Sequence, residues 1–174
     1  MLGRLRGFTF IELVVVILLI SILAVTVIPR FLDTSGFDQV TFEQRLVALL
    51  RLQQLKAMQL TNNTCHRVLI TNERFGVPYD AAGKDCVGNT LPSDYTSFSD
   101  FDKSHYGLST FEVTGADVTF SNHDIYFNSL GCPAPAAGGA CGNTDVAITI
   151  TGESTRQICI ESQGYIHYGS CDNG

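Results

Sequence analysis

Hydrophobic and polar positions give the chain three textures. From Leu13 to Ile28 there is no charged residue, and Leu, Ile and Val dominate. Counted from Phe8, this run has about the 20 residues that a helix needs to cross a hydrocarbon core. From Val40 to Asn62 apolar residues return at helical spacing. Phe42, Leu46, Leu49, Leu50, Ala57 and Leu60 share one face, which Gln53 interrupts. Val47, Leu52, Leu55 and Met58 lie elsewhere on that cylinder, so the second helix is not cleanly two-faced. Residues 30–39 between the helices are poor helix formers. Pro29 removes one backbone hydrogen bond and crowds the turn before it, and Gly36 adds flexibility. A kink or a short connector is expected there.

Beyond Asn63 the pattern shortens to β runs between turn residues. Residues 65–71 and 75–77 flank Asn72-Glu73-Arg74 as a hairpin. Residues 78–109 are rich in Pro, Gly, Asp, Ser and Asn and read as a loop. Short strands are expected at Thr110–Val113, Asp117–Phe120 and Asp124–Phe127. Residues 131–144 form a small-residue loop closed at its base by two cysteines. Val146–Thr151 and Thr155–Glu161 make a hairpin about Gly152-Glu153-Ser154, and a strand follows at Tyr165–Tyr168. The expected fold is α+β: a long N-terminal helix, its first half transmembrane, packed on a C-terminal antiparallel β-sheet that needs such cover for its apolar face.

The charges around the first apolar run change its meaning. Arg4 and Arg6 precede it, which places the N-terminus in the cytoplasm by the positive-inside bias. The run is too long for a cleaved secretory signal, and no Ala-x-Ala site follows it. A plain anchor does not explain Glu12, since a carboxylate at membrane depth costs roughly 2.5–3.5 kcal/mol on insertion scales. If the chain is cut after Gly7, Phe8 carries a new α-amine. That amine and the positive helix N-terminus both favour a carboxylate four residues on. The same Glu12 can instead meet the amine of a neighbouring copy.

Gly7-Phe8-Thr9-Phe10-Ile11-Glu12 followed by an apolar helix resembles the class III leader of type IV pilins and pseudopilins, with Phe10 where leucine is commoner. The resemblance implies cleavage after Gly7 by a prepilin peptidase, N-methylation of Phe8 by a methyltransferase, and docking of Glu12 into a growing filament. It also implies a helix-loosening role for Pro29, which falls where that family has a proline. The expected segments are a leader (1–7), a transmembrane and filament-core helix (8–29), a kinked connector with a polar-side helix (30–62), and a β-rich domain containing disulfides (63–174). Partners would be other pilin or pseudopilin subunits and an inner-membrane assembly platform, with the mature chain in a periplasmic or extracellular filament. Ile125–Gly131 is similar to the Phe-x-x-x-Gly strand-turn of H-type minor pseudopilins, and Arg156–Gly164 to their closing strands. The cysteine content, with Arg51–Leu60 running into Cys65, is similar to minor pilins of the mannose-sensitive haemagglutinin pilus. A pilus subunit, a type II secretion pseudopilin and a DNA-uptake pilin all share this leader.

Composition narrows the choice. The 174 residues carry 17 acidic and 11 basic side chains, and loss of Arg4 and Arg6 moves the formal charge from −6 to −8. That balance argues against a nucleic-acid partner, which needs Lys and Arg at phosphates. Only Arg67 and Arg156 stand out as candidate contacts. Six cysteines, Cys65, Cys86, Cys132, Cys141, Cys159 and Cys171, read as a disulfide framework in an exported domain. Locality favours Cys65–Cys86, Cys132–Cys141 and Cys159–Cys171. No Cys-x-x-Cys is present, so a zinc site is not expected. His66, His105, His123 and His167 are scattered, and no nucleophile elbow or phosphate loop occurs. The expectation is no enzyme, no metal and no cofactor. Asp100, Asp102, His105 and Asp124 have the right chemistry for a cation but no calcium-loop spacing. Asn62-Asn63-Thr64 fits a glycosylation acceptor. Tyr79, Tyr95, Phe98, Phe101, Tyr106 and Phe111 crowd the loop region, as core plugs or as a contact surface for another pilin or a glycan.

Overall fold

The apolar run forms helix α1, Phe10–Phe31. The computed structural model describes residues 9–31, 35–60, 66–79 and 88–171, with side chains given to Leu23 in α1 and from Asp38 in the next helix. Two units divide the chain, Met1–Thr34 and Ser35–Gly174. In the first, the described large side chains from Phe10 to Leu23 are exposed, from Phe10 at 82% to Val16 at 44%, except the half-buried Val14. A helix that is apolar all round calls for a membrane or other helices around it. Among the described residues no helix is long and apolar enough to cross a membrane. The described side chains, Phe10 to Leu23, cover about 21 Å at roughly 1.5 Å per residue, against a core of about 30 Å. Pro29 falls inside α1, so the helix does not stop there. Residues 32–34 of the expected connector lie outside the described residues.

In the second unit α2 spans Ser35–Gln59, starting five residues earlier than the apolar spacing indicated. Leu46, Leu49, Leu50 and Ala57 are buried as expected, and Val47, placed off that face by the sequence pattern, is buried with them. Leu52, Leu55 and Met58 are exposed. The buried face lies against strands β1 (Arg67–Ile70), β5 (His123–Phe127) and β9 (Ile166–Tyr168).

The single sheet expected from the sequence is two sheets. One has the order β3-β2-β1-β5-β6, with β2 at Arg74–Gly76, β3 at Thr110–Glu112 and β6 at Pro133–Ala134. The other has the order β4-β7-β8-β9, with β4 at Thr119–Phe120, β7 at Val146–Thr151 and β8 at Thr155–Ile160. All pairs are antiparallel. The chain changes sheets at Ser121–Asn122, because β4 pairs with β7 while β5 pairs with β1. Ser121 holds the crossing: its N–H donates to Thr149 O (2.9 Å), and its hydroxyl accepts from Thr149 N–H (2.8 Å). Phe75 of β2 meets Phe120 of β4 edge-on at 5.3 Å, so one apolar core serves both sheets. The β7–β8 hairpin has the expected register, Val146 opposite Ile160 and Thr151 opposite Thr155.

Residues 78–109 are not all loop. They contain a helix, α3, at Asp100–Tyr106. Ser99 Oγ accepts from Asp102 N–H (3.1 Å) at its start, and Gly107 closes it at φ 64°. Such Ser-x-x-Asp and glycine caps satisfy the groups a helix end leaves bare. The pattern Ser99-Asp100-Phe101-Asp102 was a readable signal.

Polar residues of α2 tie the unit together. Gln39 Nε2 donates to Ser154 O (2.6 Å) in the β7–β8 turn. Gln53 Nε2 donates to Tyr106 O (2.9 Å) and Lys56 Nζ to His105 O (2.7 Å), so α2 satisfies the last carbonyls of α3. Gln54 Nε2 donates to Gly131 O (2.6 Å) and Gly164 O (2.5 Å). The Gln53 that breaks the apolar stripe is fully buried for this reason.

Candidate functional site

Of the leader residues singled out by the sequence, the structure describes Thr9 and Glu12 at the start of α1. Thr9 is its N-cap: Leu13 N–H donates to Thr9 O (3.2 Å), and Glu12 N–H donates to Thr9 Oγ1 (3.3 Å). Glu12 sits in the first turn and is exposed. Its carboxylate is therefore at the positive end of the helix, available to a cation outside this chain. Thr9-Phe10-Ile11-Glu12 has the form of a capping box, a signal the apolar pattern alone did not bring out. Ser21, midway along the run, donates to Leu18 O at 2.7 Å, so its own hydroxyl is not left bare among the apolar neighbours. Gly7 and Phe8, the expected cleavage and methylation positions, lie outside the described residues.

Among the described residues, the cation candidates Asp100, Asp102, His105 and Asp124 are not brought together at one site. Asp100 pairs with Lys103 at 2.8 Å, which holds its carboxyl below the usual range. Asp102 accepts from the Ser99 hydroxyl (2.6 Å), and Asp124 is bound by Arg67. Among the described residues the acidic, His and Cys atoms close enough to share a cation are those of Asp145, Cys159 and Cys171. The two sulfurs there are bonded to each other. Tyr79 and Tyr95 are buried, and Phe98, Tyr106 and Phe111 pack on the core. They are plugs, with Tyr79 and Tyr106 stacked at 4.8 Å. Burial pushes the Tyr95 hydroxyl's pKa up. Phe101 alone of the six stands out, 68% exposed, stacked on His105 at 5.0 Å.

The cations have structural duties. Arg67, 1% exposed, gives Asp124 two bonds (Nε 2.5 Å, Nη2 2.7 Å) and reaches Gly88 O (2.8 Å) and Asn89 Oδ1 (2.9 Å). Arg156 binds the buried Glu43 at 2.7 Å, and Arg74 binds Glu112 at 2.8 Å. Arg51 donates to Ile166 O (3.1 Å), and Arg45 lies over the rings of Phe42 and Phe111. With Lys56 and Lys103 already placed, every described Lys and Arg of Ser35–Gly174 is engaged. The two arginines that the sequence offered for DNA are both spent on carboxylates.

Cys132 is bonded to Cys141 and Cys159 to Cys171, with Cα–Cα distances of 5.4 and 5.1 Å. Cys65 and Cys86 lie outside the described residues, as do Asn62, Asn63 and Thr64. Asn128, which no sequence signal marked, organises the first loop. Its Oδ1 accepts from Leu130 N–H (3.0 Å) and Cys132 N–H (3.3 Å), and its Nδ2 donates to Gly139 O (3.1 Å). Gly131 takes φ 82° there, which ends the Phe127-to-Gly131 strand-turn.

A family model described as the prokaryotic N-terminal methylation motif matches residues 4–28. That motif indicates a type IV pilin-like or pseudopilin protein, and it suggests a structural subunit rather than an enzyme. It implies processing by a prepilin peptidase, anchoring in a membrane and later association with a pilus-type assembly of like subunits. No curated protein matches the chain, and no solved structure does.

Proposed function

We propose that this chain is a minor structural subunit of a type IV pilus. The observation that carries the reading is Glu12, exposed in the first turn of an apolar helix, inside the matched methylation motif. In this reading, the bond after Gly7 is hydrolysed and the new Phe8 amine is methylated. Residues 8–29 span the inner membrane in the precursor and line the filament core afterwards, with Pro29 as the point where α1 bends. The Glu12 carboxylate pairs with a terminal amine as the subunit enters the filament, which neutralises two charges that are costly in an apolar setting. The exposed Leu52, Leu55 and Met58 of α2 are a second apolar contact with neighbouring subunits. The 63–174 domain faces the periplasm and then the exterior, and Phe101 is its aromatic contact for another pilin or a glycan. A third disulfide, Cys65–Cys86, fits the Arg67 bond to Gly88, since these residues are two positions beyond each cysteine.

A minor pseudopilin of a type II secretion system would use the same leader, and the strand-turn at Phe127–Gly131 fits the H-type subunits of that system. A DNA-uptake pilin is disfavoured by the engagement of the described cations. Mass spectrometry of the protein from cells tests the central claim. The expected N-terminus is N-methyl-Phe8, with full-length precursor accumulating in Gly7→Ala. Met1 retained throughout would end the pilin reading. Co-purifying subunits then separate pilus from secretion system.

A further inference from the structure

Strands β3, β6, β4 and β9 end the two sheets, and each turns backbone groups away from its neighbour. Three of these edges are closed. At β6, Pro133 has no N–H, and its O accepts from Gly142 N–H (2.8 Å). At β9, Ile166 O accepts from Arg51 Nη2 (3.1 Å), and α2 lies against the strand. At β4, Phe120 N–H donates to Asn72 O (3.2 Å) where the sheets meet. The β3 edge is open. Ser109 O accepts from Val77 N–H (3.1 Å) and Val113 N–H donates to Glu73 O (2.9 Å), so alternate residues face β2. Thr110 and Glu112 therefore turn their N–H and C=O groups outward. Those groups meet no partner among the described residues. The strand also has no proline or lysine, the residues that commonly guard an edge.

We infer that β3 is where two copies of this chain pair, edge to edge across a two-fold axis, so that their β3-β2-β1-β5-β6 sheets become one. The strand is self-complementary in one register. With Phe111 on the axis, Thr110 of each copy faces Glu112 of the other, and every outward N–H finds an outward C=O. The side chains allow it. Glu112 is paired with Arg74 of its own sheet at 2.8 Å, so no bare carboxylate sits beside the axis. Phe42 and Phe111 are half-buried at the rim of the core under the exposed Arg45, and a second strand completes their cover. A loose peptide fits less well. It must surrender its chain freedom along the edge, and so short a strand returns few bonds for that loss. The β3 strand of another copy is already ordered. Head-to-tail pairing would need a second open edge, and the described strands offer none.

Single cysteines and mild oxidation of the full chain in detergent micelles test this; its described cysteines are already paired. Across such an axis the two Phe111 Cα atoms lie about 4.5 Å apart and the two Glu112 Cα atoms about 8 Å apart. A disulfide spans at most about 7 Å. Phe111→Cys should therefore cross-link to a dimer, while Glu112→Cys should stay monomeric. Phe111 also packs on the core, so a second arm avoids changing it. Thr110→Cys and Glu112→Cys, each monomeric alone, should cross-link when mixed, at about 5.5 Å. Adding Glu112→Pro to Phe111→Cys should abolish the dimer, because it removes an outward N–H and no bond to β2; adding Glu112→Ala should leave it. Equal cross-linking at 111 and 112, as association through α1 would give, overturns the inference. Failure of both Phe111→Cys and the mixed pair also overturns it, and leaves the edge to a strand of another protein. Neither result bears on the leader reading.

Discussion

Replacing Asp124 by alanine is the sharpest test of how the β domain is held. The Arg67 guanidinium is buried, and Asp124 supplies its only counter-charge among the described contacts, through two bonds of 2.5 and 2.7 Å. Gly88 O and Asn89 Oδ1 accept two more bonds, and the Tyr126 ring lies 5.1 Å from the guanidinium carbon. Removing one partner of a buried pair costs about 3–5 kcal/mol. Asp124 is 42% exposed, so water can reach the vacated side and the lower end applies, about 3 kcal/mol. Arg67→Met should cost less, about 1–2 kcal/mol. Its methylene volume is kept, and the carboxylate left behind is half in water. Chemical denaturation of the Ser35–Gly174 unit, which contains all the described core residues, measures both. Hydrogen exchange at Gly88 and Asn89 should quicken in both variants, since Arg67 is what ties that segment to β1. If Asp124→Ala costs under 0.5 kcal/mol, or less than Arg67→Met, the buried charge is not what the pair satisfies and the reasoning fails.

Other outcomes follow from the same structure. Reducing the Cys132–Cys141 and Cys159–Cys171 bonds, which close short loops of 9 and 12 residues, should lower stability by about 2.5–3 kcal/mol each on the chain-entropy model; an unchanged melt in reductant would contradict a structural role. Burial lowers the pKa of the half-buried His123 below its ordinary 6.5, so the unfolded chain takes up that proton first. Stability is then full above pH 6.5 and declines as pH falls below it; titrating denaturation of His123→Gln should show this slope flattened. Glu12→Val should be cut after Gly7 yet fail to enter filaments, and incorporation at the wild-type level, measured in sheared pili, would refute the charge-pairing argument.

What the sequence disclosed and what it hid divide on range. The apolar run of α1, Glu12 and the β7–β8 hairpin were legible because each is a local pattern with one dominant cause. The two bonded cysteine pairs are close in sequence, so locality found them. The change of sheet at Ser121 was hidden. Thr119–Phe120 and His123–Phe127 look like successive strands of one meander, and only their distant partners in β7 and β1 separate them. Helix α3 was missed because a composition rich in turn residues outweighed its caps. The work of Arg67 could not be read either, since Asp124 is 57 positions away. Val47 was misplaced by the helical stripe because α2 lies under both sheets and buries a wider face than one sheet requires.

The internal engagement of the basic side chains has an electrostatic outcome for copies of this domain brought side by side. With the described Lys and Arg turned to their own carboxylates, rings and carbonyls, the surplus acid of the chain, −6 in full and −8 without Arg4 and Arg6, dominates the outward field. Crowded along a filament, such surfaces push one another apart until mobile ions intervene, over a screening length of about 8 Å at physiological ionic strength. If such heads pack side by side in the proposed filament, their lateral packing should tighten as salt is added and loosen on dilution.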